Sequence, residues 1–108
     1  MLETTKTVLV REFVSLARKA GTEDAQIECV KFVRDNLLPS NADRPTRQAA
    51  LLNVFSLVAV EFDGVRDPAV KTYEPVVARI PAAEKNLLGA IRTLALNEGV
   101  IKAPARNI

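Results

Sequence analysis

Histidine is absent from this chain, and with it go the commonest general base and the commonest nitrogen ligand for transition metals. Cysteine occurs once, as Cys29, so no intramolecular disulfide can form and no thiolate zinc site can be assembled. Cys29 falls on the apolar side of a helical pattern, where it reads as a small buried hydrophobe rather than a reactive thiol. The four glycines are scattered, and three of them read as helix stops, which excludes a glycine-rich phosphate loop. Without histidine the usual nucleophilic triads are also gone. Nothing in the sequence calls for a cofactor or a metal, and a non-enzymatic role is expected.

Charge is balanced rather than scarce. Fifteen basic residues face thirteen acidic ones, for a net charge of +2, which demands no polyanionic partner. Aromatic residues make up only 5% of the chain, and Phe13, Phe32, Phe55 and Phe62 all fall on apolar faces, leaving little for stacking on bases. The longest uncharged stretch, 48–60, is shorter than the ~20 residues of a membrane span and is interrupted by Asn53 and Ser56. Glu3 stands where a signal peptide needs base, so a cytoplasmic location is expected.

What is present is enough for one core. The chain has 108 residues, 48% of them hydrophobic, and a domain of this size buries roughly 65% of its unfolded surface without a staple. A single helical domain over 1–101 is expected, followed by a flexible basic tail, 102–108.

Between its prolines and glycines the sequence follows helical periodicity throughout. A first helix runs from about Thr4 to Ala20, with Leu9, Phe13, Leu16, Ala17 and Ala20 on its apolar face and Gly21 as a left-handed cap. Thr22 opens the second, helped by Glu23 and Asp24, and Cys29, Val30, Val33 and Leu37 share its apolar face up to Pro39. Asp43 and Pro45 open the third, about 44–62, which ends at Gly64. Apolar nearly all round, it is expected to be the buried central helix, with Asn53 and Ser56 satisfied in a helix contact. Asp67-Pro68 suggests a short helix through Tyr73, while 76–80 fits either one helical turn or an extended linker. Pro81 is expected to open the last helix, which runs to about Asn97 before Gly99. Leu87, Ile91 and Leu94 form its core face, widened by Ala83, Leu88, Ala90 and Ala95. No stretch alternates long enough for a sheet. The expected fold is all-α: a compact bundle of four to five helices.

Three constellations invite a function. On the last helix Asn86, Gly89, Thr93 and Asn97 form a narrow, uncharged, partly small stripe, flanked by Lys85 and Arg92 with Leu88 and Leu96 at its edge. Glycine inside a helix costs about 1 kcal/mol against alanine, so a close approach by another helix is suggested. Arg44 and Arg47 sit in the first turn of the third helix, where cations oppose the dipole. They suit an anion, with Lys102 and Arg106 in the tail as further phosphate contacts, unless nearby carboxylates neutralise them. Glu61, Asp63 and Asp67 surround the turn at Gly64 and most simply form a solvated turn; were the chain an enzyme, Glu61 and Asp63 would be the residues to change.

No family resemblance emerges from these motifs. The expected function is a non-enzymatic interaction or assembly protein that acts through a helix surface, with a protein partner or a second copy of itself. The alternative is a nucleic-acid-associated accessory or coat-like protein that binds phosphates through Arg44, Arg47 and the basic tail.

Overall fold

A computed structural model of the chain describes residues 5–66 and 70–103. Over these residues the protein is an all-α bundle of five helices with no strand. No helix among them is long and apolar enough to cross a membrane.

Helix α1 spans Thr5–Arg18 and α2 spans Glu23–Asn36. α1 buries Val10, Phe13 and Ala17, an i, i+3, i+7 set, and Ala20 follows just past its end. This face is rotated from the expected one: Leu9 is only half-buried, and Leu16 retains 46% exposure. The rotation follows from the neighbours. α1 packs against α2, α3 and α5, and the line Val10–Phe13–Ala17 is the one that all three can cover. Gly21 does not adopt the left-handed conformation expected of it, since only Gly64 and Gly99 have positive φ among the described residues. α1 closes instead through tight bonds from the Lys19 amide to the Leu16 carbonyl (3.2 Å) and from Ala20 to Ala17 (3.1 Å). The Thr22 hydroxyl then accepts from the Ala25 amide at 3.2 Å and starts α2 at once. Cys29, Val30, Val33 and Leu37 are buried, as their spacing implies.

α3, Arg44–Asp63, is the longest helix. Asp43 Oδ1 accepts from the Thr46 amide at 3.0 Å, and Gly64, at φ 71°, takes the left-handed cap with its amide on the Val60 carbonyl at 2.8 Å. Leu51, Leu52, Val54, Phe55, Ser56, Val58 and Ala59 are all buried, which is why this stretch tolerates no charge. α3 packs chiefly on α1 and α4, so α1 shares the central place with it. Ser56 is buried, and no buried side-chain nitrogen or oxygen among the described residues lacks a partner. Asn53, expected in a helix contact, is exposed.

The next two elements start later than expected. Residues 70–72 are not helical, with Thr72 extended; α4 spans only Tyr73–Val77, and Asp67 and Pro68 lie outside the described residues. Pro75 is tolerated because it occupies the first turn, where its missing N–H has no helical acceptor. The Tyr73 ring meets Phe55 edge-on, with centroids 6.0 Å apart, and Val76 and Ile80 are buried, so this single turn lids α3. Pro81 opens a turn rather than a helix, closed by the Glu84 amide on the Pro81 carbonyl at 2.9 Å. α5 spans Lys85–Asn97, and Ala83 is exposed rather than part of its core face. Leu87, Ala90, Ile91, Leu94 and Ala95 are fully buried. Beyond α5, Gly99 at φ 75° completes a Schellman motif: its amide meets the Leu96 carbonyl at 3.2 Å, and the Val100 amide meets that of Ala95 at 2.8 Å.

Candidate functional site

The small-residue stripe on α5 is partly spent inside the chain. Asn86 Nδ2 donates to the Arg18 carbonyl at 3.0 Å, and a Cβ on Gly89 would stand 2.7 Å from Gln26 Nε2. What approaches Gly89 closely is therefore α2 of the same molecule. The Thr93 hydroxyl donates to the Gly89 carbonyl at 2.9 Å. Lys85, Arg92 and Asn97 are exposed, while Leu88 and Leu96 are half-buried, Leu88 against the core. Gln26 reaches Gly89 with the far end of a flexible side chain, which can swing aside. Gly89→Ala is thus expected to stabilise the protein by about 0.5 kcal/mol through helix propensity, whereas Gly89→Leu, with three more carbons, should destabilise it. Urea denaturation of both variants checks this.

The arginines at the start of α3 lie differently from one another. Arg47 forms a two-pronged pair with Glu98, Nε to Oε1 and Nη2 to Oε2, both at 2.9 Å, and its Nη1 donates to the Pro39 carbonyl at 2.8 Å. The Glu98 side chain is only 9% exposed. Its backbone carbonyl accepts from Gln48 Nε2 at 3.0 Å. The bond from Arg47 is the main reason the Glu98 carboxyl is held below its ordinary pKa, with burial opposing and the charges of Arg47, Arg34 and Arg44 assisting. The Arg44 guanidinium occupies the space over Gly99 that a Cβ would fill. Lys102 is exposed, and Arg106 lies outside the described residues.

The acidic turn is held by ion pairs. Glu61 Oε1 accepts from Arg11 Nε at 3.0 Å. Asp63 takes a two-pronged bond from Arg79, at 2.7 and 2.9 Å, and Arg79 also donates to the Val65 carbonyl. The Arg79 guanidinium, with the Val65 amide, holds the Asp63 carboxyl down to about 2. A carboxylate so acidic carries no proton near neutral pH, which removes it as a general acid. Asp67 lies outside the described residues. Cys29 is buried, and burial pushes its thiol up, so thiolate chemistry is disfavoured. No group of three or more metal-ligating side chains is present among the described residues.

One surface was not legible from the stripe at all. Val8 and Leu16, both 46% exposed, lie on the outward side of α1 together with Glu12, Ser15 and Lys19. Arg11, Val14, Ser15, Arg18, Lys19 and Glu61 line a groove of about 370 Å³ on another flank of α1, which neither Val8 nor Leu16 lines. Arg18 Nε reaches Glu84 at 2.7 Å across one end. The signal lay in the phase of α1: with Val10 as the buried position, Val8 and Leu16 have to face out. No family model matches the chain, and no curated protein or solved structure matches it either.

Proposed function

We propose that this chain is a non-enzymatic interaction and assembly protein that works through the outward face of α1. The observation that carries this is the pair Val8 and Leu16, two large aliphatic side chains left nearly half exposed on one helix; Ile27 and Val65 are the other large hydrophobics exposed among the described residues, each on a separate segment. Exposed apolar surface rimmed by charge suits a partner helix or a second copy of the chain. The groups best suited to acid–base or thiol chemistry support the same view from the other side: Glu61 and Asp63 are committed to arginines, and Cys29 is buried. Of the surface first suggested by the sequence, Leu88, Arg92 and Leu96 stay available at the edge of α5, whereas Asn86 and Gly89 serve the corner between α1 and α2.

Molar mass by light scattering after size exclusion, at low and high salt, tests this. A defined oligomer that persists at high salt is expected, because apolar contacts are not screened. The double variant Val8→Asp, Leu16→Asp is expected to be a folded monomer, since both positions are already solvated. A variant that stays oligomeric would remove α1 from the interface, and a wild-type monomer would leave only a separate protein partner.

A further inference from the structure

The flank of α1 that holds the 370 Å³ groove also carries a surplus of positive charge. Its walls bring three cations, Arg11, Arg18 and Lys19, against one carboxylate, Glu61, for a net +2, with Val14 and the uncharged Ser15 between them. Arg11 is anchored on Glu61 at 3.0 Å and Arg18 on Glu84 at 2.7 Å, yet their side chains stay 49% and 56% exposed. The outward face of α2 is opposite in sign. Asp24, Ile27, Glu28, Lys31 and Asp35 recur at helical spacing and are all exposed, three carboxylates against one ammonium, for a net −2. Ile27, 43% exposed, is the aliphatic residue of that face. Glu28 and Lys31 meet at 3.5 Å, an exposed pair too weak to commit either of them. Groove and acidic face both stay open to solvent in one molecule, so each is left for another copy. Their spacing also matches. Glu28 and Asp35 are seven residues apart, as are Arg11 and Arg18, which is about 10 Å along each helix axis. Laid antiparallel, Asp35 meets Arg11 and Glu28 meets Arg18, while Lys31 falls opposite Ser15 and Ile27 lies along the stem of Lys19. Laid parallel, Asp24 on Arg11 sets Lys31 on Arg18, cation against cation.

We propose that the acidic face of α2, centred on Ile27, docks antiparallel into the α1 groove of a second copy of this chain. The two surfaces differ, so the contact is head-to-tail and leaves one of each open at the ends of a row of copies. It uses neither Val8 nor Leu16, and so stands or falls apart from the assembly face proposed above. One aliphatic side chain and a few exposed ion pairs make it weak, with a Kd on the order of millimolar. Dilute protein does not show it.

The test follows backbone amide shifts of the full chain as its concentration rises to about 2 mM at low ionic strength. Concentration-dependent shifts are expected in two separate patches, 11–19 and 24–35, and should fade at high salt as the exposed charges are screened. Ile27→Lys and Lys19→Glu change exposed positions, so both variants should fold, and each should weaken the contact at least about fivefold. Mixing the two variants in equal amounts should restore the shifts, because the groove of the first still meets the intact α2 face of the second. Lys102→Glu, the same change of charge elsewhere on the chain, should have no effect. Shifts confined to one patch, no restoration on mixing, or an equal loss in the Lys102 variant would overturn the proposal. A further arm adds an acidic helical peptide of unrelated sequence: shifts of the groove with that peptide, and none with concentration, would overturn a second copy as the occupant. Light scattering of the same variants should show the salt-resistant oligomer of the outward α1 face unchanged, which keeps the two contacts distinguishable.

Discussion

Phe55→Ala is expected to cost about 4 kcal/mol, a large part of the roughly 5–15 kcal/mol that holds a domain of this size together. The ring is fully buried in the middle of α3 and meets Tyr73 of α4 edge-on. Removing it takes away the transfer free energy of six carbons and leaves a cavity. The charge-free neighbours Leu51, Val54, Val58 and Ala59 cannot close that cavity without leaving their own contacts. The loss also releases α4, a single turn that has few other reasons to be helical. Phe55→Leu keeps most of the volume and should cost about 1 kcal/mol. Chemical denaturation with both variants separates the effects: a lower midpoint at unchanged slope is expected for alanine. A loss under about 1 kcal/mol would mean that the ring is not packed between α3 and α4.

The parts of the fold that were legible in the sequence are those decided within a few residues. Thr22 and Asp43 cap their helices because a short oxygen-bearing side chain stands three positions before an amide that needs an acceptor. Gly64 and Gly99 end theirs because only glycine takes positive φ without strain. Where the same local signal has two uses, sequence alone could not choose. Pro81 fits the first position of a helix and a turn equally well, and the turn is what the chain makes. Gly21 resembles a cap, but Thr22 follows it so closely that α2 begins before a left-handed residue is needed. The candidate sites failed to show for a different reason: they depend on pairs far apart along the chain. The void over Gly89 is filled by a residue 63 positions away, and Arg47 and Glu98 are 51 apart. Periodicity carries no information about such partners. It places Gly89 on the outside of α5 and leaves Glu98 as an unremarked residue before a glycine.

Glu98 is where the second large effect is expected. Glu98→Ala should cost about 3 kcal/mol at neutral pH, because it strips the half-buried Arg47 guanidinium of its two-pronged partner and removes the negative charge that Arg34 and Arg44 also favour. The cost stays below that of a fully buried broken pair, since the Arg47 side chain is 21% exposed and can turn to water. Glu98→Gln keeps the shape and one acceptor, so its cost should be about half as large. The pH dependence follows from the sign of the shift. The Glu98 carboxyl is more acidic in the folded chain than in the unfolded one, chiefly through the bond from Arg47. Its contribution is therefore complete above the unfolded value of about 4.3 and is lost as pH falls through the lower, folded value. Wild type and Glu98→Gln should differ most at neutral pH and converge in acid, which denaturation of both proteins across this range measures directly. Asp63, held down to about 2 by Arg79, loses its own contribution in the same direction, but equally in both proteins, so it cancels from the difference. A gap between the two that stays constant down to about pH 3 would place the acid sensitivity of the fold at Asp63 rather than at the end of α5.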